Sequence, residues 1–140
     1  MIKPETILRK LLCHCIKQHK VLWFYYESST GNYPRKVDPY ILAIKNKGKG
    51  NTFFTGFVYP SEEAQLKSND DDQGHYLLKK IDMSQFKVLD ETFHELKLDY
   101  HKIFGELPTI KIIAELLFNK RRLTEICRII IEPYFSLTDD

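Results

Sequence analysis

Cysteine is scarce in this chain, and its three copies are odd in number with no framework spacing. That excludes a disulfide scaffold and predicts reduced thiols in a cytoplasmic setting. No run approaches the roughly 20 apolar residues that span a bilayer, so no membrane association is expected. The opening "MIKPETILRK" places charges inside the apolar pattern and does not read as a signal peptide. Glycine and proline number six each, too few for a low-complexity or collagen-like chain.

Catalytic signatures are missing too. There is no glycine-flanked serine elbow, no phosphate loop and no paired-histidine motif. "KNKGKGN" (45–51) is glycine-containing but reads as a hairpin turn, and "DDD" (70–72) lacks the alternation of a calcium loop. An enzyme is not expected, and no cofactor is implied. "CHC" (13–15), with His19 beyond it, invites a metal reading. On a helix, however, residues two apart point about 200° apart, so Cys13 and Cys15 would diverge. No metal site is expected there, and Cys15 falls on the apolar stripe.

What is present is apolar and aromatic. Of the 140 residues, 43% are hydrophobic and 13% aromatic, enough for one packed domain. The formal net charge of +2 hides a split. Residues 1–60 carry 10 Lys plus Arg against 3 Asp plus Glu, while residues 61–140 carry 11 against 16. A basic first half is compatible with an anionic ligand.

Helical spacing of Ile7, Leu8, Leu11, Leu12 and Cys15, behind Pro4 at a first turn, predicts a helix over about 4–18. "VLWFYYES" (21–28) predicts a strand, "SSTGNYP" a turn with Gly31 able to take positive φ, and "RKVDPYILAIK" (35–45) a second strand. Pro39 cannot donate to a ladder, so that strand must bulge there or run along an edge. "TFFTGFVYP" (52–60) is a third strand, whose Gly56 marks a bend or a close backbone approach. "SEEAQLKSNDDDQG" (61–74) is an acidic excursion, with 65–73 expected to be mobile and dispensable. "HYLLKKIDM" and "SQFKVLDETF" complete four or five short strands. The expected fold is mainly β with flanking helices: a small SH3-like or Sm-like barrel, an N-terminal helix, and a short C-terminal α or α/β extension. "PTIKIIAELLFNKRR" (108–122) fits helix and strand alike, with Pro108 and the terminal cations tilting the reading to helix.

In "VLWFYY" both strand faces are apolar, so alternation cannot say which aromatics are core. Tyr25, Tyr26, Arg35, Lys36, His75, Tyr76, Lys79 and Lys80 combine rings with cations, a mix that suits stacked bases and phosphates. The competing reading buries the aromatics and solvates the cations, and composition alone favours it.

These segments, taken in order, resemble the WYL domains. "KVLWFYYESSTG" is similar to the family's opening strand and turn, with Tyr26 five residues before Gly31. "RKVDPYIL" resembles its Arg-x-Val-x-Pro-x-x-Leu stretch, placing Arg35, Pro39 and Leu42. "HYLLKKI" and "FKVLDETF" resemble its later strands, and "LKLDYHKIFGEL" its linker, placing Phe104 and Gly105. Residues 1–105 would then be the WYL-like domain and 106–140 a C-terminal extension, with "TIKIIAELLF" (109–118) a strand. The resemblance implies an SH3-like, Sm-like barrel acting as a ligand-sensing module in bacterial transcriptional or defence-system regulation. It implies a nucleotide or single-stranded nucleic acid as partner, met by Tyr26 and Arg35, which match directly, and by Lys80 in place of an arginine, with Tyr26 as the exposed, ligand-facing aromatic; His75 and Tyr76 join them from the mix of rings and cations. The name-giving triplet is replaced by Thr52, Phe53 and Phe54. Of the family's two later arginines, one is absent near Gly74 and the other is Lys80. Those departures fit an alternative, a degenerate protein-interaction or homodimerisation module without a ligand. No helix-turn-helix is expected before the first strand, so if the chain regulates transcription, either a regulatory partner supplies the DNA contact or the sequence is a fragment of a longer protein.

Overall fold

The structure, a computed structural model, describes residues 3–29, 31–45, 51–61, 73–97, 110–118 and 120–125. The excursion at 65–72, the turn cations Lys47 and Lys49, and the Phe104–Gly105 linker lie outside them.

Helix α1 spans Pro4–Lys17, with proline in the first turn where a missing donor costs nothing and Lys17 at the last, where a cation suits the helix dipole. Leu8, Leu12, Cys15 and Ile16 form its buried stripe against the sheet, whereas Ile7 is largely exposed. Burial pushes the Cys15 thiol up to about 11, with nearby Lys20 opposing. His19 then reverses the chain at φ 55°, a left-handed conformation uncommon outside glycine. Its ring nitrogens lie 3.1 Å from the Phe93 carbonyl oxygen and 3.0 Å from that of Leu117, and the ring stacks on Phe93. These contacts hold the turn.

Strands β1 (Lys20–Ser28) and β2 (Gly31–Lys45) pair antiparallel through a tight hairpin, with Gly31 at φ 126° as its composition predicts. β3 (Thr52–Val58) adds to β2, β4 (Gln73–Leu77) adds to β3, and β5 (Ile81–Thr92) returns along the far side of β1. A 3-10 turn at Leu78–Lys80 separates β4 from β5. The order β4-β3-β2-β1-β5 leaves β4 and β5 unpaired with each other. The expected closed barrel is therefore corrected to an open, mainly antiparallel sheet. The reason is one of partner: after the 3-10 turn β5 pairs with β1 and not with β4.

Pro39 sits where the β2–β3 register shifts between Pro39 and Ile41, the bulge that its missing donor requires. Gly56 lies opposite it, and a Cβ there would come within 2.0 Å of the Asp38 carbonyl oxygen. That is the close backbone approach expected of a strand glycine.

The helix expected near 110–118 does not form. Ile110–Glu115 is strand β6, antiparallel to Ile41–Lys45 of β2. Ile110, Ala114 and Leu116 are buried, and the Leu116 N–H donates to the Tyr40 carbonyl at 3.1 Å. β1 pairs with β2 only as far as Val37, which leaves the β1-side edge of Ile41–Lys45 open for this stretch, so tertiary pairing overrides an ambiguous local pattern. Short strands β7 (Leu117–Phe118) and β8 (Arg121–Arg122) follow as a hairpin. Among the described residues no helix is long and apolar enough to cross a membrane.

The two-faced strand also resolves. Leu22, Phe24 and Tyr26 are buried, while Trp23 and Tyr25 are half-buried on the other face, beside Lys87. Phe24 meets Phe54 and Tyr76 edge-on, at 5.6 and 5.1 Å between ring centroids, in the favoured aromatic geometry.

Candidate anion-binding site

Tyr26 is not the exposed aromatic that the sequence suggests. It is 7% exposed, and its hydroxyl accepts the Leu77 N–H at 3.1 Å, capping the end of β4. Its ring meets Tyr76 edge-on at 4.9 Å. The physical reason is register: Tyr26 shares a strand face with Leu22 and Phe24, and that face is core. Tyr76 is equally buried. Desolvation holds both phenols above their ordinary pKa, with the Arg35 charge opposing in each case.

Arg35 joins these rings from β2. Its guanidinium lies over Tyr33, 3.2 Å from the ring centroid, and 5.8 Å from that of Tyr26. It donates to the Tyr33 carbonyl and, at 3.3 Å, to the Ser28 hydroxyl, and it also hydrogen-bonds Tyr76. The residue is only 7% exposed. Among the described residues no carboxylate pairs with it. Burial lowers its pKa, with nearby phenols opposing. A buried cation held only by neutral groups has part of its desolvation uncompensated, and an entering anion would supply the missing charge.

One residue further along the β1–β2 ladder, Glu27 faces Asn32. These two, with Lys79, Lys80, Ile81 and Asp82, line an open depression of about 250 Å³. Lys80 is exposed there, on the 3-10 turn. The structure thus brings Tyr26, Arg35 and Tyr76 into one cluster and sets Lys80 at the neighbouring depression. His75 goes elsewhere. Strand alternation turns it away from Tyr76, and it stacks on Phe53 at 4.1 Å. Desolvation against that ring, then the charge of Lys45, lowers its pKa.

A second cluster escaped the sequence reading. Asp38 is fully buried on β2, and its Oδ2 accepts the Lys97 ammonium at 2.6 Å. Lys97 also donates to the Tyr59 hydroxyl at 3.2 Å. The available signal was a lone carboxylate inside the apolar "VDPYIL" run, but its partner lies 59 residues away.

No family model matches the chain, and no curated protein matches it. A solved structure does: proteasome accessory factor B/C (PafBC) of Arthrobacter aurescens, with TM-score 0.53 and 18% identity. The match covers 75% of this chain and 15% of that one, so the chain spans a small part of that protein's length. At this identity the likeness is one of fold.

Proposed function

We propose that this chain is a non-enzymatic, WYL-like regulatory module that binds a phosphate-bearing ligand, a nucleotide or single-stranded nucleic acid, at the Arg35 cluster. The observation that carries the reading is the buried Arg35 guanidinium with neutral partners and no carboxylate among the described residues. Guanidinium is the cation best matched to phosphate, through its planar fork of donors. Lys79 and Lys80, at the neighbouring depression, would meet further phosphates, against the opposing charges of Glu27 and Asp82. The fold likeness to PafBC supports a WYL-like domain and is consistent with a regulatory role. The 3-10 turn between β4 and β5, the two ends of the β4-β3-β2-β1-β5 path, supports an SH3-like or Sm-like strand order in an opened sheet. Tyr26 and Tyr76 frame the site as packed rings; base stacking would have to come from another residue.

The test is a binding screen of purified protein against short single-stranded DNA, RNA and nucleotides at two salt concentrations. Binding should weaken with salt, with a slope of about −0.7 per neutralised phosphate for single strands. Arg35→Met should abolish or strongly weaken it while leaving the fold intact. No binding at low salt sinks the reading.

One observation favours a second reading, a protein-interaction or homodimerisation module. Edge strand β5 carries Met83 at 36% and Val88 at 39% exposure. An edge strand with exposed apolar residues is a template for pairing. Sedimentation analysis that finds a dimer, lost on Val88→Lys, together with an empty ligand screen, would establish it instead.

A further inference from the structure

The Asp38 cluster lies apart from the Arg35 site and has the composition of a cation receptor. Three rings surround the Lys97 ammonium, which is 5.1 Å from the Tyr59 centroid, 5.4 Å from Phe57 and 5.9 Å from Phe93. Each is within the range where a ring face attracts a cation. Asp38 supplies a carboxylate from below. It is 0% exposed, and its second oxygen, Oδ1, is buried without a hydrogen-bond partner among the described residues. A carboxylate so placed needs a cation at all times, because leaving it alone and buried is costly.

The receptor and its occupant are held differently. Asp38 lies on β2 and Phe57 on β3, while Tyr59 is pinned beside them by its N–H donating to the Lys36 carbonyl at 2.9 Å. Lys97 lies beyond the end of β5, in a segment without regular structure, tied to the sheet through its own N–H donating to the Tyr40 hydroxyl at 3.0 Å. Its side chain is 29% exposed, so the cage has a mouth to solvent. A second cation, Lys36, lies 4.6 Å from the Tyr59 centroid and is engaged by Glu91 at 2.8 Å.

We propose that Asp38, Phe57, Tyr59 and Phe93 form an ammonium-binding cage, occupied in this structure by the chain's own Lys97, which accepts the alkylammonium group of another molecule in its place. Exchange would release the segment after β5 from the sheet. The ligand class is an alkylammonium ion, free or borne on a lysine side chain.

The test reads Lys97 directly. In protein carrying ¹³C-lysine, the Lys97 εCH₂ signals should be shifted by the three rings and should be missing in Lys97→Ala. Methylammonium chloride, or a short lysine-bearing peptide, should move those signals toward the free-lysine position. Sodium chloride at equal ionic strength should not. A response to the peptide alone assigns the ligand to protein lysines, and a response to both assigns any alkylammonium. Signals that stay in place with both probes overturn exchange and leave a structural ion pair. Lys97→Ala should lose roughly 5–10 °C in Tm and regain most of it with methylammonium, but not with sodium. If Lys97→Ala does not fold, Lys97→Met, which keeps the stem, replaces it. A folded variant that methylammonium fails to stabilise overturns the cage.

Discussion

Arg35 and Asp38 lie three residues apart on β2, an odd spacing that sends them to opposite faces of the sheet. Both are buried, and their charges are met in opposite ways. Asp38 has a lysine brought from 59 residues away, at 2.6 Å. Arg35 has phenol rings, a hydroxyl and a backbone carbonyl, and no carboxylate among the described residues. On one face folding itself neutralises the buried charge; on the other no carboxylate among the described residues does, and the proposed anion site rests on that difference.

The largest expected effect touches both faces. Desolvation raises Cys15 to about 11 and Tyr40 up to about 12, and also raises Tyr26, Tyr59 and Tyr76. A group whose folded pKa lies above its unfolded value contributes stability below the unfolded value and loses it as pH rises through the folded one. Stability should therefore hold up to about pH 9, the ordinary cysteine value, and fall by several kcal/mol toward pH 12. Lys97 adds to the fall: burial alone would lower its ammonium, but hydrogen bonds to Asp38 and Tyr59 outweigh burial and raise it. Urea unfolding across alkaline pH checks this, and a flat profile to pH 12 would show the phenols to be solvated.

Next comes the ion pair. Lys97→Met should cost about 2–3 kcal/mol, because it strands a fully buried carboxylate. Asp38→Asn should cost less, since the freed ammonium is partly exposed and can turn to water. Equal losses in denaturant melts would mean that the Lys97 stem, and not its charge, holds the segment.

Arg35→Met sharpens the contrast. With no carboxylate left behind, it should cost only about 1–2 kcal/mol from its lost hydrogen bonds, less than stranding Asp38, while removing anion binding. A loss as large as that of Lys97→Met would reveal a counter-ion beyond the described residues and weaken the ligand reading. The smallest effect concerns His75. Its lowered pKa contributes stability above pH 6.5 that is lost as pH falls through the folded value. His75→Gln should flatten that acid-side slope slightly without altering ligand binding, since the ring stacks on Phe53, away from Tyr76.

Local chemistry made much of the fold legible. Helix α1 and strands β1 to β3 follow from apolar spacing, the Gly31 turn from its need for positive φ, the bulge from Pro39 and the close approach from Gly56. Each is a constraint that one or a few neighbouring residues impose on their own backbone. Tyr26, Arg35 and Tyr76 already stood together in the sequence's mix of rings and cations, beside His75, which the structure places elsewhere. Their burial was not, because "VLWFYY" is apolar on both faces and the choice of core face belongs to what packs against it.

Tertiary structure decided the rest. "IKIIAE" is a strand because β2 leaves an edge open for it, a hydrogen-bonding fact that no local pattern contains. The sheet stays open because β5 pairs with β1 and not with β4 after the Leu78–Lys80 turn, a choice of partner made by packing. Asp38 became the partner of Lys97 only when the segment after β5 came to lie against Asp38 of β2 and Phe57 of β3. A strand's side-chain alternation is a property of its own sequence. Which face is core, which edge is free and which distant charge answers a buried one depend on neighbours that chain folding supplies.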